Sequence, residues 1–144
     1  MPGFYVNLGR IKSCGCLRKE ASSRIGKLAR HNPGEAVKHI LYNDYKRTAK
    51  KRKLSFELSL EVFLHLIEMP CRYCGNPPSN KKTSKRHFGS ALYSGLDRVD
   101  NTKGYIEGNV VSCCKICNLA KRDTTLESFK AWIENVYKTT ILSH

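Results

Sequence analysis

Two Cys-x-x-Cys pairs, Cys71/Cys74 and Cys114/Cys117, constrain this chain more than any other feature. Two residues between cysteines let both sulfurs turn toward one ion. Two such pairs complete a closed tetrahedral shell of the structural zinc type. Thirty-nine residues separate the pairs, so the stretch between them must fold and bring its ends back to one point. The chain has 144 residues, 40% of them hydrophobic. That suits one domain, or one small domain with an appendage, whose modest core gains from a metal staple. Seven cysteines without an apolar export segment favour metal ligation over disulfides. Cys113 has the wrong strand phase to join Cys114 and reads as a core thiol. Cys14 and Cys16 form only Cys-x-Cys, and a second metal with His31 or His39 is the alternative to reduced thiols.

The charge narrows the partners. Lys and Arg number 26 against 12 Asp and Glu, a formal net charge of +14. A surplus of that size on a short chain favours a polyanion, most often nucleic acid. Residues 1–54 hold 14 basic and 3 acidic side chains, the rest 12 and 9, so the basic footprint lies mainly in the first third. Phosphate contacts there predict binding that weakens steeply with salt. No stretch is long and apolar enough to cross a membrane. The expected compartment is the cytoplasm of a bacterium or of a phage-infected cell.

Residues 1–33 read as a basic N-terminal segment, and residues 34–144 as the main domain. Val37, Ile40, Leu41, Tyr45 and Thr48 or Ala49 recur at helical spacing from about Gly34 to Lys53. A second helix starts at the N-cap Ser59, buries Leu60, Phe63, Leu64 and Ile67, and stops at Met69-Pro70. Residues 75–94 read as a loop. Residues 95–100 alternate like a short strand, 101–104 supply a turn, and 109–113 read as a second strand. A short helix over 115–122 follows. Thr124 and Glu127 form a capping box for a last helix, whose stripe of Leu126, Phe129, Trp132, Ile133, Val136 and Tyr137 reads as core. That stripe would serve a homodimer as well as a monomer.

Residues 95–121, GLDRVDNTKGYIEGNVVSCCKICNLAK, together with CRYCG at 71–75, resemble the HNH endonucleases with a ββα-metal core. The resemblance implies an α+β fold: a small zinc-stabilised core with flanking helices and a basic N-terminal helical segment. In that family a strand Asp and a helix His or Asn bind one divalent ion that clamps the scissile phosphate. The matching positions here are Asp97 and Asn118, two hard oxygen ligands suited to Mg²⁺ or Mn²⁺. Asn109 matches the family's middle Asn, which braces the loop between the strands. The family's general base, a His after the strand Asp, is replaced by Arg98. Arginine stays protonated, so it is a poor base but an apt phosphate holder. Water activation then falls to the metal, to Tyr105 or to His87. The Asp-Arg, Gly-Tyr, middle Asn and Cys-Asn are similar in arrangement to a rare-cutting HNH restriction enzyme with four-cysteine zinc sites. GRIKSCGCLRKE, residues 9–20, is similar to segments that precede HNH domains in phage-encoded and homing-type enzymes, as a remnant of a longer DNA-binding module.

The expectation is therefore a metal-dependent HNH endonuclease that hydrolyses phosphodiester bonds in double-stranded DNA, of the phage homing type. Its structural zinc would sit on Cys71, Cys74, Cys114 and Cys117. Lys46, Lys50, Lys51, Arg52 and Lys53, with Lys81, Lys82, Lys85 and Arg86, would grip the DNA backbone. The plainer readings stay open: Asp97 and Asp100 as turn caps, Asn118 as an ordinary helix residue, Tyr105 as a packing aromatic. The alternative function is a non-catalytic zinc-containing nucleic-acid-binding protein.

Overall fold

The first helix forms where its apolar spacing demands. In the computed structural model, residues 34–85 and 89–142 are described. Cys14, Cys16, His31, Arg86 and His87, and the whole N-terminal segment 1–33, lie outside them. Helix α1, Glu35–Lys51, buries Val37, Leu41 and Ala49 on one stripe. Its C-terminus closes in a Schellman arrangement: Leu54 N–H donates to the Ala49 carbonyl at 2.9 Å, and Lys53 N–H to Lys50 at 3.1 Å. The left-handed residue of that motif, usually glycine, is Lys53 at φ 57°.

Helix α2, Leu60–Glu68, starts as expected, with the Ser59 hydroxyl accepting from Val62 N–H. Phe63 and Ile67 are fully buried. Pro70 blocks continuation, and the freed carbonyls are taken up by side chains. Ser94 Oγ donates to Met69 O at 2.7 Å and Ser112 Oγ to Pro70 O at 2.6 Å. These bonds fix the chain just before Cys71.

Two antiparallel pairs follow. Strand β1, Asn80–Thr83, pairs with β2, Ser90–Tyr93. From sequence alone, residues 75–94 read as a loop. Asn-Lys-Lys-Thr has no apolar alternation to announce a strand. The hairpin is set instead by docking on α1, where Lys82 Nζ meets Asp44 at 3.1 Å and Ala91 is buried. Strand β3, Gly95–Arg98, pairs with β4, Val110–Cys113, setting Asp97 opposite Val111 and Gly95 opposite Cys113. All four residues of β3 are buried, where alternation was expected. Helix α2 and a third helix, α3 (Lys115–Lys121), both pack on the strand. The central cluster joins Leu41, Ala49, Leu58, Phe63, Ile67, Leu96, Tyr105 and Val110. Phe63 meets Tyr42 and Tyr45 edge-on, both at 5.3 Å between ring centres.

The last helix, α4, spans Leu126–Thr140. Its N-cap is Thr125, whose Oγ1 accepts from Ser128 N–H at 3.1 Å. Thr124, the expected cap, instead donates its hydroxyl to Lys121 O at 2.6 Å. Adjacent threonines offered two frames, and the bond to the end of α3 selected the second. The expected core stripe is also corrected. Phe129 alone is buried, stacked on Trp132 at 6.0 Å, while Trp132, Ile133, Val136 and Tyr137 stay exposed. Among the described residues no helix is long and apolar enough to cross a membrane.

Phe63 has no solvent contact and sits at the centre of the aromatic group. Phe63→Ala is expected to destabilise the fold by about 3–5 kcal/mol through lost burial and a residual cavity. Urea unfolding of the metal-loaded protein measures this; a loss below about 1 kcal/mol would show that the cluster is not the core.

Candidate functional site

Four cysteine sulfurs converge. Those of Cys71, Cys74, Cys114 and Cys117 all lie within 4.8 Å of one another, with Cys74 and Cys114 3.7 Å apart. Four sulfurs each about 2.3 Å from one zinc would stand roughly 3.8 Å apart at tetrahedral angles, so the cluster could hold that ion. The first pair is shaped by a tight turn in which Gly75 N–H donates to Cys71 O at 2.9 Å. Gly75 adopts φ 74° there, a conformation open to glycine. The second pair opens α3: Cys114 is its N-cap, and Cys114 Sγ accepts from Cys117 N–H at 3.4 Å.

The thiols differ in acidity. Burial works against ionisation of Cys71, yet the N–H groups of Cys114, Cys74 and Tyr73 outweigh it and hold the thiol down to about 6. Cys117 is pushed up, by burial first and then by the neighbouring sulfurs. The two thiols are thus shifted in opposite directions within one cluster, and a cation that binds all four sulfurs displaces the protons they hold. Cys113 is fully buried, donates to Cys114 O at 3.4 Å, and is raised by burial. It lies in the core beside the cluster, as a core thiol does.

Asp97 lies on β3, 4% exposed. Its Oδ2 accepts from the Tyr73 hydroxyl at 2.7 Å and faces Lys121 Nζ at 3.1 Å. Lys121 has no solvent contact, and its ammonium also donates to Arg98 O at 3.0 Å. Tyr73 is pushed above its ordinary range by burial and then by the Asp97 carboxylate, so it remains a donor. Neither partner was singled out from sequence. Tyr73 was hidden inside the first cysteine turn. The signal for Lys121 is its spacing: four residues after Cys117, it falls on the same helix face. Asn118 is half-buried on α3. No hydrogen bond joins its side chain to Asp97 among the described residues. Two oxygen ligands from these residues suit a hard cation, and Oδ1 is the less tightly engaged Asp97 oxygen, 3.5 Å from Lys121 Nζ.

The remaining candidates surround the turn between β3 and β4. Asn109 Nδ2 donates to Asp100 O and Gly104 O, both at 3.0 Å, and its Oδ1 accepts from Asp100 N–H at 2.9 Å. One side chain therefore holds both ends of the loop. Arg98 is buried, with Nη1 donating to Asn101 O and Lys103 O at 2.8 and 2.6 Å. Its guanidinium lies 5.7 Å over the Tyr105 ring. Tyr105 is in the core, bridged to Phe56. Gly104 allows that approach, because a Cβ there would overlap Ser55.

Lys46, Lys50 and Lys53 line one open groove on α1 with Arg47 and Phe56. Lys51 and Arg52 are exposed beside it. On the hairpin, Lys81 and Lys85 are exposed while Lys82 is half-buried against Asp44. His39 is near Glu35 at 4.0 Å, and the four cysteines are the only His, Cys, Asp or Glu cluster with metal-site geometry among the described residues.

The cluster predicts one Zn²⁺ per chain. Free zinc a thousandfold above its Kd would add about 4 kcal/mol of stability, lost on chelation. Because Cys117 must release a proton on binding, zinc retention should fall as pH drops. Cobalt substitution, read by thiolate absorption at falling pH, checks both statements. Cys117→Ser should lose the metal, and full cobalt occupancy in that variant would sink the assignment.

No family model matches the chain. It is 40% identical over 87 residues to the uncharacterized protein R423 of Acanthamoeba polyphaga mimivirus, covering 60% of this chain and 14% of that one. It is 36% identical over 81 residues to an uncharacterized 29.0 kDa protein of Enterobacteria phage T4, covering 56% of this chain and 30% of that one. The matched regions thus span less than a third of either viral relative. Among solved structures it is similar to the rare-cutting HNH restriction endonuclease PacI. The TM-score is 0.51 at 21% identity, over 71% of this chain and 78% of that one. At that identity the likeness is one of fold, and the α+β chain with its four-cysteine cluster has an HNH-like fold.

Proposed function

We propose that this chain is a zinc-stabilised, metal-dependent endonuclease that hydrolyses phosphodiester bonds in double-stranded DNA. One observation carries the reading. Asp97 lies on β3, which packs against α3, and α3 carries Asn118 and is opened by Cys114 and Cys117 of the four-cysteine cluster, in a fold shared with an HNH restriction endonuclease. A divalent ion, Mg²⁺ or Mn²⁺, would supply Lewis-acid charge to the phosphate there.

The chain's own residues do the rest. Asp97 and Asn118 would offer the oxygens. Asn109 holds the loop at both ends, so the Asp97 strand enters it at a fixed angle. Arg98 keeps N–H donors beyond the two bonds that Nη1 makes, and would hold a phosphate oxygen. His87 remains a candidate for water activation. The Lys46, Lys50 and Lys53 groove, with Lys51, Arg52, Lys81 and Lys85, would follow the DNA backbone without reading sequence. Relatives in a phage and a giant virus support a virus-borne setting, and the homing type is proposed from the resemblance of residues 9–20.

One observation favours the alternative, a non-catalytic DNA-binding module: Asp97 already has Lys121 as a partner. The same contact dictates the test. Asp97→Ala would leave a buried ammonium unpaired and destabilise by about 3–5 kcal/mol, so Asp97→Asn and Asn118→Ala are the cleaner variants. Supercoiled plasmid with Mg²⁺ or Mn²⁺ should be nicked by the parent. Each variant should lose two to three orders of magnitude, as expected when several kcal/mol of metal-held charge stabilisation is removed. DNA bound but never nicked, with any metal, would hand the case to the non-catalytic reading.

A further inference from the structure

Asp97 is fully partnered before any divalent ion arrives. Lys121 Nζ lies 3.1 Å from Oδ2 and 3.5 Å from Oδ1. Its second bond, to Arg98 O at 3.0 Å, anchors the ammonium from another side. A lysine with no solvent exposure cannot withdraw without leaving a buried charge unpaired. Arg98, the next residue, adds a second positive charge that the Asn101 and Lys103 carbonyls hold in place. Asn118 is neutral. No buried polar side-chain atom here lacks a partner, so nothing in the protein alone demands a further ligand.

A divalent ion at this site would have to share a carboxylate already engaged by the ammonium, Oδ1 accepting only the longer contact, at 3.5 Å. Mg²⁺ is held by one or two carboxylates together with substrate phosphates, and keeps several waters. Here the carboxylate charge is matched by the lysine, and the phosphate becomes the main source of negative charge. Resting on the nuclease reading above, we propose that the protein alone does not hold the divalent ion at Asp97. A DNA phosphate completes the site, so ion and DNA bind as a pair, and Lys121 is the positioning residue that enforces this dependence. By linkage, the ion must then strengthen DNA binding by the factor that DNA strengthens ion binding.

Mn²⁺ titration of the zinc-loaded protein, followed by electron paramagnetic resonance, tests this with and without a duplex that the parent nicks. Asp97→Asn with the same duplex subtracts Mn²⁺ held by DNA itself. The free parent should take up no Mn²⁺ beyond Asp97→Asn at concentrations that saturate the duplex complex. With duplex it should take up one more ion per chain. Free Lys121→Met, which removes the charge but keeps the length, should bind Mn²⁺ at least about tenfold more tightly than the free parent, equivalent to about 1.4 kcal/mol. Should that variant not fold, the parent with and without duplex still decides. Asp97-dependent Mn²⁺ binding of equal strength with and without DNA overturns the proposal and leaves the nuclease reading intact. Absence of any Asp97-dependent Mn²⁺, duplex included, overturns the proposal and with it the assignment of Asp97 as an ion ligand.

Discussion

Four thiols held within 4.8 Å of one another cannot all ionise unless a cation lies between them. That constraint organises the rest. Cys71 and Cys74 stand at the end of the path from α2, and Cys114 and Cys117 open α3. A bound ion would therefore join the end of one helix to the start of another, with the β3–β4 pair between them. Tyr73 extends the link. It sits between the first two cysteines, packs against the cluster and donates to Asp97. The position of the Asp97 carboxylate thus depends on a turn whose shape a bound ion would set.

Much of this arrangement was legible in the sequence, for identifiable reasons. The cysteine spacing announces convergence because two-residue gaps suit one ion. Helices α1 and α2 announce themselves because their buried residues recur at helical spacing, and Ser59 and Pro70 mark the ends of α2. The β1–β2 hairpin was not legible, since it is held by docking on α1, with Ala91 buried and Lys82 meeting Asp44, and not by its own alternation. Helix α4 was placed correctly, but its apolar stripe overstated its burial. Amphipathicity says that a face could be covered, not that this chain covers it.

The candidate site was legible by residue type and less so by environment. Asp97 and Asn118 follow from a resemblance over residues 95–121. That Asp97 would be buried against a lysine does not follow, because lysine is by default a solvated residue. Lys121 escapes that default by its phase on α3. It shares the face of Cys117, which the cluster turns inward, so the ammonium is carried under β3. Within one turn of α3, Cys117 and Lys121 thus serve two different charge problems. One sulfur awaits a cation, and one cation occupies a carboxylate.

Lys53 has a consequence of a different kind. It takes the left-handed position that closes α1, where glycine fits without strain and other residues are held at roughly 1–2 kcal/mol above their preferred conformation. Glycine at such a site would relieve that strain. Lysine there adds a fourth consecutive positive charge after Lys50, Lys51 and Arg52, on a backbone held by the bonds of Lys53 N–H to Lys50 O and of Leu54 N–H to Ala49 O. Local conformational preference has been overruled at the very point where the basic groove begins. Lys53 is thus a place where the preference of the backbone and the charge of the side chain point in different directions.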